Sequence, residues 1–104
     1  MTDHYWQNPQ NRADNRRNSA EVVLSRMREF APSILPFARL VGRWVWAQFP
    51  QKPSPLVLRY LSAEGFAWNF KRRVWQHSGG VFSRQSSSDP RLRYGEIPAE
   101  EVAL

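Results

Sequence analysis

The stretch GFAWNFKRRVWQH, residues 65–77, sets four large aromatics around Lys71, Arg72 and Arg73. Two kinds of chemistry use those residue types. Close cations on a protruding turn hold phosphate oxygens, and exposed rings stack unpaired bases at roughly 1–3 kcal/mol each. Aromatics at this density also build the core of a small sheet, which needs large side chains to bury enough area. Trp44 and Trp46 extend the aromatic set, and Arg43 and Arg59 extend the cationic one. The nucleic-acid-binding candidates are therefore Lys71, Arg72, Arg73, Arg43, Arg59, Trp44 and Trp46. Arg84, Arg91 and Arg93 near the C-terminus, and Arg12, Arg16 and Arg17 near the N-terminus, are further cations that a groove could recruit.

Other chemistries lack their residues. With no cysteine there is no thiol nucleophile, disulfide framework or zinc ribbon. His4 and His77 are far apart and carry no metal-ligand spacing, so no metal site is expected. His77 next to Ser78 does not make a nucleophilic pair, because no spacing supplies the orienting third group. Ser78-Gly79-Gly80 lacks the lysine and Ser/Thr of a phosphate loop. No catalytic residue and no cofactor are expected, and the chain reads as not an enzyme.

The formal net charge is +6, and thirteen of the fifteen cations are arginine, whose planar fork pairs bidentately with phosphate. The same bias is also compatible with plain solubility. No apolar run approaches the roughly 20 residues that span a bilayer. The opening MTDHYWQNPQNRADNRRNSA has no signal-peptide core. A cytoplasmic protein without a membrane partner is the expectation.

The elements that must position these side chains follow from local punctuation. Residues 1–17 are rich in Asn, Arg, Gln and Asp, with a lone Tyr5-Trp6 pair, and read as a disordered arm. Asn18 with Glu21 three positions later resembles a capping box, and Ala20, Val23, Leu24, Met27 and Phe30 share one stripe, so a helix runs over residues 19–30. Pro32 and Pro36 end it. ARLVGRWVWAQF then reads as a single strand, with Val41, Arg43, Val45, Ala47 and Phe49 on one face and Gly42, Trp44, Trp46 and Gln48 on the other. Ser54, Pro55 and Gly65 delimit a second helix, with Ser54 as its cap. A hairpin follows: Phe66, Trp68 and Phe70 alternate on its first strand, Lys71 to Arg73 form its tip, and Val74 to His77 return. Residues 81–104 read as a loosely ordered extension with a helical turn after Pro98.

The expected fold class is α+β: a small α-β-α-β-β domain over residues 18–80 with a three-stranded mixed sheet and helices packed on it. The strand-helix-strand crossover would leave its strands parallel, with the hairpin antiparallel. The second helix would cover one face of the sheet and the first helix the other.

The segment WVWAQFPQKPSPLVLRYLSAEGFAWNFKRRVWQH resembles a small domain of unknown function found in bacterial plasmid, phage and mobile-element proteins. The resemblance rests on Trp44 and Trp46, Lys52-Pro53, Gly65-Phe66, Trp68, Arg72, Arg73 and Trp75, and covers about a third of the chain. It implies a strand-helix-hairpin module found beside nucleic-acid-processing domains, and supplies no catalytic residue.

Two functions follow as expectations. One is non-enzymatic binding of DNA or RNA through the basic hairpin tip and an aromatic sheet face. The other is a protein partner, as for a host-directed inhibitor or an assembly subunit, since interfaces favour the same Trp and Arg anchors. Oligomeric state is left open by these residues.

Overall fold

Caps, prolines and glycines cut the chain into short elements. The structure, a computed structural model, describes residues 9–81 and 94–103. In chain order these hold helix α1 (Pro9–Asn15), helix α2 (Ala20–Phe30), a 3-10 helix (Pro32–Phe37), strands β1 (Ala38–Val41) and β2 (Trp44–Ala47), and helix α3 (Pro55–Ala63). Strands β3 (Ala67–Asn69), β4 (Val74–His77) and β5 (Ile97–Pro98) and a second 3-10 helix (Ala99–Glu101) complete them. The Tyr5-Trp6 pair, His4, Arg84, Arg91 and Arg93 lie outside the described residues.

Helix α3 starts and stops where the sequence places its signals. The Ser54 hydroxyl accepts the Val57 N–H, Pro55 occupies the first turn, and Gly65 takes a φ of 95° just past the end. The Phe66 N–H donates to Leu61 O at 2.9 Å and the Gly65 N–H to Ser62 O at 3.1 Å, which is the paired closure of a Schellman motif. The Leu61 and Phe66 side chains that flank this closure are both buried in the core. Helix α2 begins one residue later than expected. Ser19, not Asn18, is its cap, accepting from the Val22 N–H at 3.3 Å.

The sheet corrects the expected three mixed strands. Five strands run in the order β3-β4-β2-β1-β5, and every neighbouring pair is antiparallel. The segment read as one strand is a hairpin: Val41 pairs with Trp44 across Gly42 and Arg43, and Gly42 adopts a φ of 61°. Glycine first in a two-residue turn matches the twist that tight hairpins require. The expected parallel neighbours are also absent. β4 lies between β2 and β3, so the crossover through α3 joins strands that point the same way without touching.

The reversal at Gly42 reassigns the two faces. Ala38, Leu40, Val45, Ala47, Trp68, Trp75 and His77 share one face by register, and Val41, Trp44, Trp46, Val74 and Gln76 share the other. Val41 therefore joins Trp44 and Trp46 instead of Val45. Helices α2 and α3 both pack on the first face, where Val23, Leu24, Met27, Leu61 and Phe66 meet Val45 and Ala47 in one core. This overturns the expectation of one helix per face. On the second face Val41, Trp46 and Val74 form a smaller cluster with Trp44 at its margin.

Both chain ends contribute more than expected. Within the N-terminal arm, α1 is anchored to α3: Arg12 Nη1 donates to Ser62 O at 2.6 Å and Phe66 O at 2.9 Å, and Asn15 Nδ2 donates to Ala63 O at 2.9 Å. These bonds satisfy carbonyls at a helix C-terminus, where positive charge is also favourable. Near the other end β5 pairs with β1, Ala99 is buried, and Arg28 Nη2 donates to Val102 O at 3.0 Å. The extension is thus ordered over its last described residues, with a 3-10 turn after Pro98. Among the described residues no helix is long and apolar enough to cross a membrane.

Glycine permits the closest of these contacts. An alanine Cβ at Gly79, where φ is 66°, would collide with the Arg43 carbonyl oxygen, whereas one at Gly95, where φ is 73°, would meet nothing within 4 Å. Gly95→Ala should cost only the left-handed backbone term, about 1–2 kcal/mol. Gly79→Ala should cost clearly more in urea denaturation, because the steric clash adds to that term. Equal costs would show that the Gly79–Arg43 approach yields freely.

Candidate nucleic-acid interface

The β3–β4 turn, residues 70–73, is held by one side chain. Asn69 O accepts the Arg73 N–H at 2.7 Å, and Asn69 Oδ1 accepts the Arg72 N–H at 3.0 Å. Asn69 Nδ2 donates in turn to Gln76 Oε1 at 3.1 Å across the hairpin. Arg73 closes the turn in the left-handed region at φ 57°, the single non-glycine residue with positive φ among the described residues. The turn is therefore a shaped platform. Lys71 and Arg73 are exposed on it, and Arg72 is half-buried.

Three rings lead from the core to this platform. Trp75 packs partly against the main core, Trp68 meets it at a tilt of 56° with centroids 5.4 Å apart, and Phe70 meets Trp68 edge-on at 6.2 Å. Exposure rises outward, to 40% at Trp68 and 86% at Phe70. The outermost ring thus shares its turn with Lys71, Arg72 and Arg73.

The structure brings together only part of the expected site. Trp46 is 3% exposed, packed with Val41 and Val74, so its ring cannot stack a base in this state. Trp44 is half-buried on the face opposite the Trp68–Phe70 ladder. Arg43 sits in the β1–β2 turn at the far end of the sheet, because β2 and β4 are antiparallel and Val45 pairs with His77. The length of β4, about 13 Å at 3.3 Å per residue, separates the two turns. Arg59 is exposed on α3, a different element from the tip. The rings that do flank the tip cations, Trp68 and Phe70, belong to the hairpin's own alternation, which already set them on one face.

Arg43 instead has company from α1 and the link to α2. The Arg43 and Arg17 carbonyls lie against Gly79 and Gly80, and the Arg16 backbone lies against Gly65. The Arg12 guanidinium is held below its usual value by burial and then by repulsion from Arg16, which places those two charges close together. The backbones of Arg16, Arg17 and Arg43 therefore converge on this end of the sheet and make it a second arginine-bearing region. Its sequence signal is polar, with Arg12, Asn15 and Arg16 at helical three- and four-residue spacing.

Between this region and the second sheet face lies a shallow cleft of about 140 Å³, open to solvent on one side, lined by Arg16, Trp44, Gly65, Ala67, Gln76, Ser78 and Val81. Among the described residues no group of three or more His, Asp or Glu side chains is placed to hold a metal ion.

Buried polar groups tie α1, α2 and α3 to the end of β4. The Glu64 carboxylate is paired with Arg26 through Nε to Oε1 at 2.7 Å and Nη2 to Oε2 at 3.0 Å, and accepts from Asn15 Nδ2 at 3.2 Å. His77, 1% exposed, accepts the Gly79 N–H at Nδ1 and lies 2.8 Å from Asn15 O through Nε2. An acceptor at Nδ1 means a neutral ring that donates from Nε2. Burial lowers the His77 pKa, outweighing the upward pull of the Asn15 carbonyl and the Glu64 charge, while Arg16 adds to the lowering.

With the folded value below the ordinary imidazole value of about 6.5, the unfolded chain binds the proton more readily. The stability that neutral His77 contributes is complete above that pH and is lost as pH falls below it. The melting temperature should therefore decline between pH 7 and 5. His77→Asn, less stable at pH 7, should show a shallower decline. An unchanged slope in that variant would assign the acid sensitivity to other groups.

No protein-family model, curated protein or solved structure matches the chain.

Proposed function

We propose that this is a small, non-enzymatic nucleic-acid-binding protein that holds unpaired DNA or RNA on the Trp68–Phe70 ladder, with Lys71, Arg72 and Arg73 on the phosphates. The observation that carries this reading is Phe70, 86% exposed, in edge contact with Trp68 and in the same turn as three cations. A lone exposed ring is ordinary on a protein surface. Rings stepping outward from a core beside clustered cations are the arrangement that base stacking and phosphate contact both use. The proposal includes a setting in a bacterial or phage mobile element, an expectation drawn from the pattern of residues 44–77 alone.

Unpaired strands are favoured over duplex because stacking on Phe70 needs an accessible base face. Cation and ring variants should fail differently in fluorescence-anisotropy titrations with labelled single strands at two salt concentrations. Lys71→Ala with Arg73→Gly removes two charges, and the glycine relieves the positive φ. Binding should weaken and the salt slope should shrink by about 1.4, at roughly 0.7 per phosphate contact on a single strand. Phe70→Ala should weaken binding by roughly 1–3 kcal/mol with an unchanged slope. Tight, salt-insensitive association with a co-purifying protein, and none with nucleic acid at low salt, would reverse the assignment in favour of a protein partner.

A further inference from the structure

We infer that the cleft between Trp44, Ala67, Gln76 and Ser78, with Arg16 at its rim, is a second nucleobase site on the opposite face of the β3–β4 hairpin from the ladder. This rests on the reading of the protein as a binder of unpaired nucleic acid. Continuing the β2–β4 register one residue past Val45 and His77 sets Trp44 opposite Ser78, and Ala67 pairs directly with Gln76. An indole wall, a hydroxyl, an amide and a methyl thus border one hollow, and the small Ala67 leaves it open.

Size and chemistry narrow the occupant. The volume of about 140 Å³ is close to the roughly 150 Å³ that encloses a benzene ring, and well below the hundreds of cubic ångströms of pockets for larger ligands. A planar ring fits, stacked on Trp44. Asn69 takes Gln76 Oε1, so the amide is oriented, and its nitrogen end together with the Ser78 hydroxyl can address polar atoms on a base edge. Arg16, which lines the cleft, supplies a cation for the attached phosphate, a function that an apolar protein side chain would leave unused.

The two sites lie on either side of β3, an edge strand of the sheet. The length of β3 is about 10 Å, the rise of three stacked base steps. A single strand can therefore turn around this edge and place separate bases in both sites. A duplex, with its bases paired inward, cannot.

The test uses the full chain, a labelled twelve-nucleotide oligothymidylate and free thymidine monophosphate. Ala67→Phe fills the cleft at an exposed strand position that tolerates a large ring. It should reduce oligonucleotide affinity by roughly 5- to 140-fold, the equivalent of one lost stacking contact, with an unchanged melting temperature. Gln76→Ala should reduce it less. The mononucleotide should shift the Trp44 indole and Gln76 amide NMR signals of the wild type and leave those of Ala67→Phe in place.

Oligonucleotide binding that depends on Phe70 but is indifferent to Ala67→Phe, with stationary Trp44 and Gln76 signals, would overturn the second site and leave the hairpin reading intact. Shifts at Trp44 and Gln76 with affinity indifferent to Phe70→Ala would support the cleft and remove the ladder. No binding of either probe at low salt would overturn both.

Discussion

The arrangement depends on one buried carboxylate. Glu64, at the C-cap of α3 and 2% exposed, would be costly to enclose alone. It is enclosed because Arg26 reaches it from α2 with two bonds and Asn15 reaches it from α1 with a third. Three helices are thereby fixed around a single point, which also sets α2 and α3 side by side on the same sheet face. Replacing such a group by an apolar one is often tolerated, whereas removing one partner strands the charge. The network therefore specifies geometry more than it adds stability. Asn15 extends it to the sheet by accepting from His77 through its carbonyl, so the helical layer and the end of β4 share one hydrogen-bonded seam.

That seam explains how a short polar helix is held. Arg12 and Asn15 attach α1 to the carbonyls around the end of α3, and glycines at 65, 79 and 80 let the following backbone lie directly on the sheet end. Arg16 and Arg17 are thereby set in place next to Arg43. Two groups of basic residues sit at opposite ends of β4, Lys71, Arg72 and Arg73 at one and Arg12, Arg16, Arg17 and Arg43 at the other. One is built on a four-residue turn, and the other on helix ends and glycine turns.

Much of the architecture was legible because its signals are local. Ser54, Pro55 and Gly65 delimit α3 by backbone chemistry that needs no distant partner, and the alternation of Phe66, Trp68 and Phe70 marks the hairpin. The β1–β2 turn was also locally encoded, since glycine followed by one residue between apolar runs is a hairpin signature, but the unbroken alternation of VGRWVWA masks it. The rest was not local. Which face α2 covers is decided by Arg26 meeting Glu64, thirty-eight positions away. The exposure of each tryptophan depends on that docking and on register, which is why Trp46 is enclosed while Trp68 and Phe70 stand out. Helix α1 escaped a hydrophobic reading because the face it turns to α3 binds with an arginine and an asparagine.

The two borders of the sheet differ in what they offer an incoming chain. A border strand is ordinarily a template on which another molecule can add its own backbone. β5 consists of Ile97 and Pro98, and proline brings no N–H to such a ladder. β3 is three residues long and runs at once into a turn carrying three positive charges. Short length, a missing donor and like-charge repulsion between identical turns all work against end-to-end sheet growth, so these five strands can leave both borders open without inviting aggregation.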